Sequence, residues 1–335
     1  MFKKKWIVVL CVLSCFITNA QSWVADSICE NYECTEVYFT DDYSGEVKCT
    51  VTRRLTYGNR QVAVLYIHGY NDYFFQTELG DRFVNNGYNF YAVDLRKYGR
   101  SILHGQRLFE VRDLSEYFED INAALDIIVH DGNCSIIIMG HSTGGLIASY
   151  YMAKANWLRY PVKALVLNSP FLDMNLGTIT EDFLLPFVCL CGKWFPDIEL
   201  DQGGDNMYAR TLLKKYVGEW SYNTAWKTEM SQPVTLGWLR AITSAQDFLH
   251  RGVEVGVPIL LMHSDYSSNG TDEEQAHTTD IVLNVDEISR YGKRLGNDVT
   301  EYIVKNGIHD LFLSRMPIRY ALYSHLFQWL ESKGL

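Results

Sequence analysis

The stretch Ser135-Ile136-Ile137-Ile138-Met139 followed by Gly140-His141-Ser142-Thr143-Gly144-Gly145 decides the fold. Its first five residues form a short run of apolar, β-branched side chains with polar or glycine residues at both ends. That composition predicts a central strand buried on both faces. A helix over 143–156 is predicted to follow directly. The serine therefore stands on a sharp strand-to-helix turn, where its hydroxyl projects away from the sheet and small neighbours permit close backbone approach. The bare Gly-x-Ser-x-Gly pattern is unspecific, since it would arise by chance in roughly one chain in ten of this composition. Its placement between strand and helix separates a nucleophile from a capping serine in a glycine-rich turn.

Outward from this point, short β-branched runs alternate with amphipathic stretches, as βα units around a parallel sheet require. Strands are expected over 35–40, 47–57, 62–68, 88–94, 162–167, 257–263 and 299–304. Helices are expected over 77–86, 285–295 and 318–330. The clearest helix spans 113–131, with Leu114, Tyr117, Phe118, Ile121, Leu125 and Ile128 on one face and Asp113 and Glu116 placed to cap its start. The alternation stops between Phe171 and Arg251. The expected organisation is thus a leader over 1–20, a core over 21–170 and 252–335, and a helical cap over 171–251 inserted before the last two strands.

A serine hydroxyl needs a base to take its proton. His309, in Asn306-Gly307-Ile308-His309-Asp310, lies after the last predicted strand, on the sheet edge where the serine turn opens. His141 sits inside the turn and reads as a packing residue. Two acids suit the chain order serine, acid, histidine. Asp280 leaves room for one helix and one strand before His309, whereas Asp265 follows its strand at once but requires a longer polar excursion. Asp280 is preferred and Asp265 stays open. Two backbone N–H groups are expected to face a developing oxyanion: that of Thr143, and that of Tyr70 in the turn His68-Gly69-Tyr70-Asn71-Asp72.

Together these stretches resemble the monoacylglycerol lipase, lysophospholipase and serine aminopeptidase-like branch of the α/β-hydrolases. His68-Gly69 is similar to that branch's oxyanion loop. Asp94-Leu95-Arg96-Lys97-Tyr98-Gly99-Arg100-Ser101 resembles its Asp-x-x-Gly-x-Gly-x-Ser loop, with Tyr98 where a glycine is more usual. Asp280-Ile281-Val282 resembles its acid motif, but stands about sixteen residues beyond the strand it normally follows. The resemblance implies an α/β-hydrolase fold, a mostly parallel central sheet flanked by helices, with no metal and no organic cofactor. It implies an ester-cleaving serine hydrolase acting on a small-molecule ester or lipid-like substrate. An aminopeptidase of the same fold is the alternative, and would need a carboxylate such as Glu181, Asp182 or Glu219 to hold a free amine. A non-catalytic binding protein on this scaffold is the other.

Composition narrows the partners. The chain has 335 residues, 30 basic against 40 acidic, and a net charge of −10, which disfavours a nucleic-acid partner. Lys3, Lys4 and Lys5 precede an apolar run from Trp6 to Thr18 and the small-residue site at Ala20, the pattern of a secretory leader. That run is too short to span a bilayer, so no stable membrane span is expected in the mature chain, which would be secreted or periplasmic. Lipid attachment at Cys15 is the lesser alternative. Cleavage would leave Cys29, Cys34, Cys49, Cys134, Cys189 and Cys191. The apolar residues Phe183, Leu184, Leu185, Phe187, Val188, Leu190, Trp194 and Phe195 suggest an acyl-binding lining, or simply attachment of the cap to the core.

Overall fold

Along the strand that precedes Ser142, successive side chains enter opposite layers. Ile136 and Ile138 belong to one hydrophobic core, whereas Ile137 and Met139 belong to another. This period of two places apolar residues on both faces, which only a sheet covered on both sides can accommodate. The computed structural model describes residues 22–58, 61–174, 185–201 and 207–335. The leader, Cys11, Cys15, Glu181, Asp182, Phe183 and Leu184 lie outside the described residues.

In chain order the strands are β1 (Val24–Ala25), β2 (Glu33–Tyr38), β3 (Lys48–Arg54), β4 (Val62–Ile67), β5 (Asn89–Asp94), β6 (Ser135–His141), β7 (Val162–Asn168), β8 (Glu199–Leu200), β9 (Val234–Thr235), β10 (Ile259–Ser264) and β11 (Val299–Val304). The helices are α1 (Thr77–Asn85), α2 (Tyr117–His130), α3 (Thr143–Lys154), α4 (Leu185–Trp194), α5 (Met207–Leu212), α6 (Leu236–His250), α7 (Glu273–Ala276), α8 (Val285–Gly292) and α9 (Met316–Ser332). One sheet runs β1-β2-β3-β5-β4-β6-β7-β10-β11. Pairing is antiparallel from β1 to β5 through β3, and parallel from β5 onward. Helices α2, α3, α6 and α8 contribute to the first core, α1 and α9 to the second.

The chain leaves β4 for β5 on one side and returns to β6 on the other. The order therefore reverses between β4 and β6, and a crevice opens beyond their C-terminal ends, where open α/β sheets place ligands. The turns after β4 and β6 both empty into it.

Most expected elements are present with bounds shifted by a few residues. The 113–131 helix starts as a 3₁₀ turn over Leu114–Glu116, and its capping box is complete: Asp113 accepts from the first turn and Glu116 accepts from the Asp113 N–H at 2.9 Å. The segment between β7 and β10 carries α4, α5, α6 and the two-residue antiparallel pair β8–β9, which periodicity does not resolve. Among the described residues, no helix is long and apolar enough to cross a membrane. The six described cysteines are free thiols. Burial pushes the Cys29 thiol up to about 12 and Cys49 upward as well, so both act as packing groups.

Candidate active site

Strand β6 ends at His141 and α3 begins at Thr143, so Ser142 alone must reverse the chain. It does so at φ 52°, ψ −120°, a region that costs a residue with a Cβ about 1–3 kcal/mol. The surroundings hold it there. Ser142 N–H donates to Asn168 O at 3.0 Å, and Ser142 O accepts from Gly145, Leu146 and Phe171 N–H at 2.9, 3.1 and 2.9 Å. Glycine is obligatory at position 144, where a Cβ would overlap the carbonyl oxygens of Ile67 and His68 at the end of β4. Because those atoms belong to the backbone of a central strand, they cannot move aside. Gly144→Ala is expected to cost about 1–3 kcal/mol or more, read as a lower urea midpoint with unchanged slope.

The Ser142 hydroxyl lies 2.9 Å from His309 Nε2, and His309 Nδ1 lies 2.9 Å from Asp280 Oδ2. His309 and Asp280 are 3% and 0% exposed, and Ser142 only 9%, so the three-residue chain is shielded from bulk water. With Nδ1–H donated to the carboxylate, Nε2 is free to accept the serine proton. Asp280 Oδ1 accepts from Val282 and Leu283 N–H, both at 2.8 Å. The sixteen-residue displacement of this acid is reconciled by a return loop. Asp280 pairs with the chain near the end of β10, its N–H donating to Tyr266 O at 2.9 Å and its O accepting from Ser268 N–H at 3.0 Å. The loop over 269–279, with α7, is thus an excursion that leaves and rejoins the same place. Asp265 is elsewhere engaged: its carboxylate accepts from Asn306 N–H at 2.9 Å and shapes the loop that carries His309.

Gly69 brings the turn after β4 against the serine, a Cβ at that position falling 3.1 Å from Ser142 Cβ. Among the described residues, the N–H groups of Thr143 and Tyr70 make no hydrogen bond. Two unpaired donors therefore stand on the two backbone segments that flank the serine. The Asp94–Ser101 stretch supports this turn from behind. Asp94 accepts from Phe74 N–H at 3.0 Å, and Arg100 binds Asp94, Phe74 O and Asp26. Tyr98, where a glycine was the usual residue, packs its ring against His68 at 4.8 Å. Aromatic rings stand close by: Tyr70 lies 5.0 Å from Trp238 of α6, which stacks on Phe171 at 6.4 Å.

His141 is buried, as its placement in the turn suggested, with Nδ1 3.1 Å from Asn168 O and its ring 4.9 Å from that of His309. Desolvation holds its pKa below the ordinary histidine value, so the ring is neutral. The apolar insertion residues divide between the core side and the solvent side. Phe187, Leu190 and Trp194 on α4, and Phe195 just after it, are 59–70% exposed; Leu185 is buried and Val188 partly so. Sequence reasoning missed three groups near the triad. Lys227, Tyr208 and Asp310 are buried or half-buried there, with Tyr208 OH accepting from Asp310 N–H at 3.0 Å. Only Asp310, next to His309, carried a signal, by adjacency.

Comparison with solved structures finds the same fold in other α/β-hydrolases. A soluble variant of the monoglyceride lipase of Saccharomyces cerevisiae, bound to a substrate analog, aligns at TM-score 0.64 and 17% identity over 89% of this chain and 94% of that one. A Paleococcus ferrophilus monoacylglycerol lipase aligns at 0.56 and 16% over 90% and 99%. A thermostable carboxyl esterase from Bacillus coagulans, bound to glycerol, aligns at 0.61 and 14% over 90% and 99%. None of the curated proteins matches the chain. The model of the family described as serine aminopeptidase, S33, matches residues 58–313. With well over half its length so matched, the chain belongs to the S33 serine aminopeptidase family of α/β-hydrolases.

Proposed function

We propose that the protein hydrolyses carboxylic esters of acyl or lipid type through an acyl-enzyme on Ser142. The observation that carries this reading is the unbroken Asp280–His309–Ser142 hydrogen-bonded chain, 2.9 Å at each link. In the reaction His309 takes the serine proton as Oγ attacks the carbonyl carbon. The Thr143 and Tyr70 N–H groups then donate to the tetrahedral oxyanion. His309 protonates the departing alcohol, and water, deprotonated by the same imidazole, releases the acid. The apolar rings of Tyr70, Trp238 and Phe171 favour an acyl chain beside the nucleophile over a charged group.

The family description favours one other reading, an aminopeptidase. Of the carboxylates suited to hold a free amine, Glu219 already pairs with Arg319 at 2.5 Å. Asp72, close to the site, pairs with Lys227 at 2.9 Å. Both are taken by the chain's own cations, which supports the ester. The segment 171–251 acts in this proposal as a cap, and the leader over 1–20 supports export to a secreted or periplasmic location.

A fluorophosphonate probe and a p-nitrophenyl ester series test the proposal together. The wild type is expected to label on Ser142, with kcat/KM rising at least about tenfold from acetyl to octanoyl, since each buried methylene contributes about 0.8 kcal/mol. A flat series would overturn the acyl preference. Absence of labelling would overturn the enzyme and leave a binding protein on this scaffold.

A further inference from the structure

Beneath the triad lies a second buried polar group that the reaction does not use. Atoms of Asp72, His141 and Asp310 come within 4.8 Å of one another, and all three side chains are buried. Such a set would suit a metal cation, but the chain supplies its own positive charge. Lys227 Nζ lies 2.9 Å from Asp72 Oδ1, and the two side chains are 8% and 2% exposed. The rings of Phe75, Tyr222 and Tyr208 surround the ammonium at 5.7, 5.7 and 6.0 Å. One carboxylate and three aromatic rings thus hold the ammonium in place.

What it restrains is the turn after β4. Asp72 stands two residues beyond Tyr70, and the neighbouring residues repeat the connection. Thr228 N–H and Oγ1–H donate to Asn71 Oδ1 at 2.7 and 3.1 Å, and Asn71 Nδ2 donates to Thr228 O at 2.9 Å. Asn223 N–H donates to Tyr73 OH at 2.7 Å. Asn71 takes φ 49°, the left-handed region that asparagine adopts more readily than most residues. The stretch 223–228 belongs to the segment between β7 and β10, so this connection joins that segment to the turn bearing the Tyr70 N–H.

We propose that Lys227 is a positioning residue for the oxyanion: through Asp72 it fixes the 69–73 turn so that the Tyr70 N–H stays directed at the site beside Ser142. The inference rests on the hydrolase reading above. Lys227 touches no reacting atom. Its removal leaves the turn held by the Asn71–Thr228 and Tyr73–Asn223 bonds alone and so loosens the donor, without altering the Asp280–His309–Ser142 chain.

The test compares wild type, Lys227→Met and the double variant Asp72→Asn/Lys227→Met. The double variant removes both charges, so it leaves no unpaired buried ion and folds even where the single one does not. Three quantities are read: kcat and KM on a p-nitrophenyl ester, the melting midpoint, and the ratio of affinities for an alkyl trifluoromethyl ketone and its methyl ketone. The first ketone forms an oxyanion on Ser142; the second binds without one. Both variants are expected to lose about 10–100-fold in kcat and in the ketone ratio, approaching the loss of one oxyanion donor, with KM within about threefold. A purely structural role predicts a double variant with wild-type ratio and kcat, and that result would overturn the positioning role. Wild type that neither labels with fluorophosphonate nor binds the trifluoromethyl ketone more tightly would overturn the hydrolase reading instead.

Discussion

Ser142→Ala is expected to lower kcat by about 10⁴–10⁶-fold, with the folded state retained. The size follows from what the hydroxyl does in the proposed reaction. Without Oγ no acyl-enzyme forms, and only direct attack by water, aided by the Thr143 and Tyr70 donors, remains. His309→Ala should cost nearly as much, and the double variant little more than either, because the two groups act as one unit. Stability responds far less. Alanine keeps the Cβ and so the same φ 52° geometry, and the single hydrogen bond to His309 Nε2 is worth about 1 kcal/mol. Steady-state kinetics on a p-nitrophenyl ester, alongside a thermal melt, separate the two effects. Residual turnover at a tenth of wild type, or additive losses in the double variant, would show that Ser142 is not the nucleophile.

The fold was legible wherever burial on two faces forced an unambiguous pattern. Strand β6 is apolar at every position that faces either core, and only a doubly covered sheet explains Ile136 through Met139. The Gly-rich turn after it was legible because a backbone collision, not a preference, fixes Gly144. The pair β8–β9 was not legible, since two residues on each strand carry no periodicity. Helix α4 was ambiguous in another way. Its composition is apolar, but composition does not say which face meets the core, and Phe187, Leu190 and Trp194 face outward while Leu185 is buried.

Within the candidate site, residues that act through position in the chain were readable, and residues that act through distant contacts were not. His309 and Ser142 stand at the ends of strands, where topology alone brings them to one edge. Lys227 is a single letter in an irregular stretch; a buried lysine looks like any exposed one until Asp72, 155 residues away, is placed beside it. The acid lay between these cases. Chain order admitted both Asp265 and Asp280 with a preference for Asp280, and what brings Asp280 to His309 is the Ser267–Asp280 pairing that closes the 269–279 excursion.

That separation sets up a contrast between two isosteric changes. Asp280→Asn is expected to reduce kcat/KM by about 10⁴-fold, and Asp265→Asn by less than about threefold. The large effect comes from the backbone around Asp280. Val282 and Leu283 N–H both donate to Oδ1, so an asparagine must give them its carbonyl oxygen. Its NH₂ group then faces His309 Nδ1, 2.9 Å away, and two donors cannot share that contact. The imidazole must move its proton to Nε2, where it can no longer accept from Ser142 Oγ. Asp265 makes a different demand: its oxygen accepts one N–H, from Asn306, which an asparagine carbonyl can also do. The cost there is a weaker hydrogen bond in an exposed loop, about 1 kcal/mol or less of stability. Kinetics over a range of pH, with melts as the control, measure both. Equal losses in the two variants, or a greater loss in Asp265→Asn, would place the orienting carboxylate at the end of β10 and leave Asp280 as a turn-forming residue.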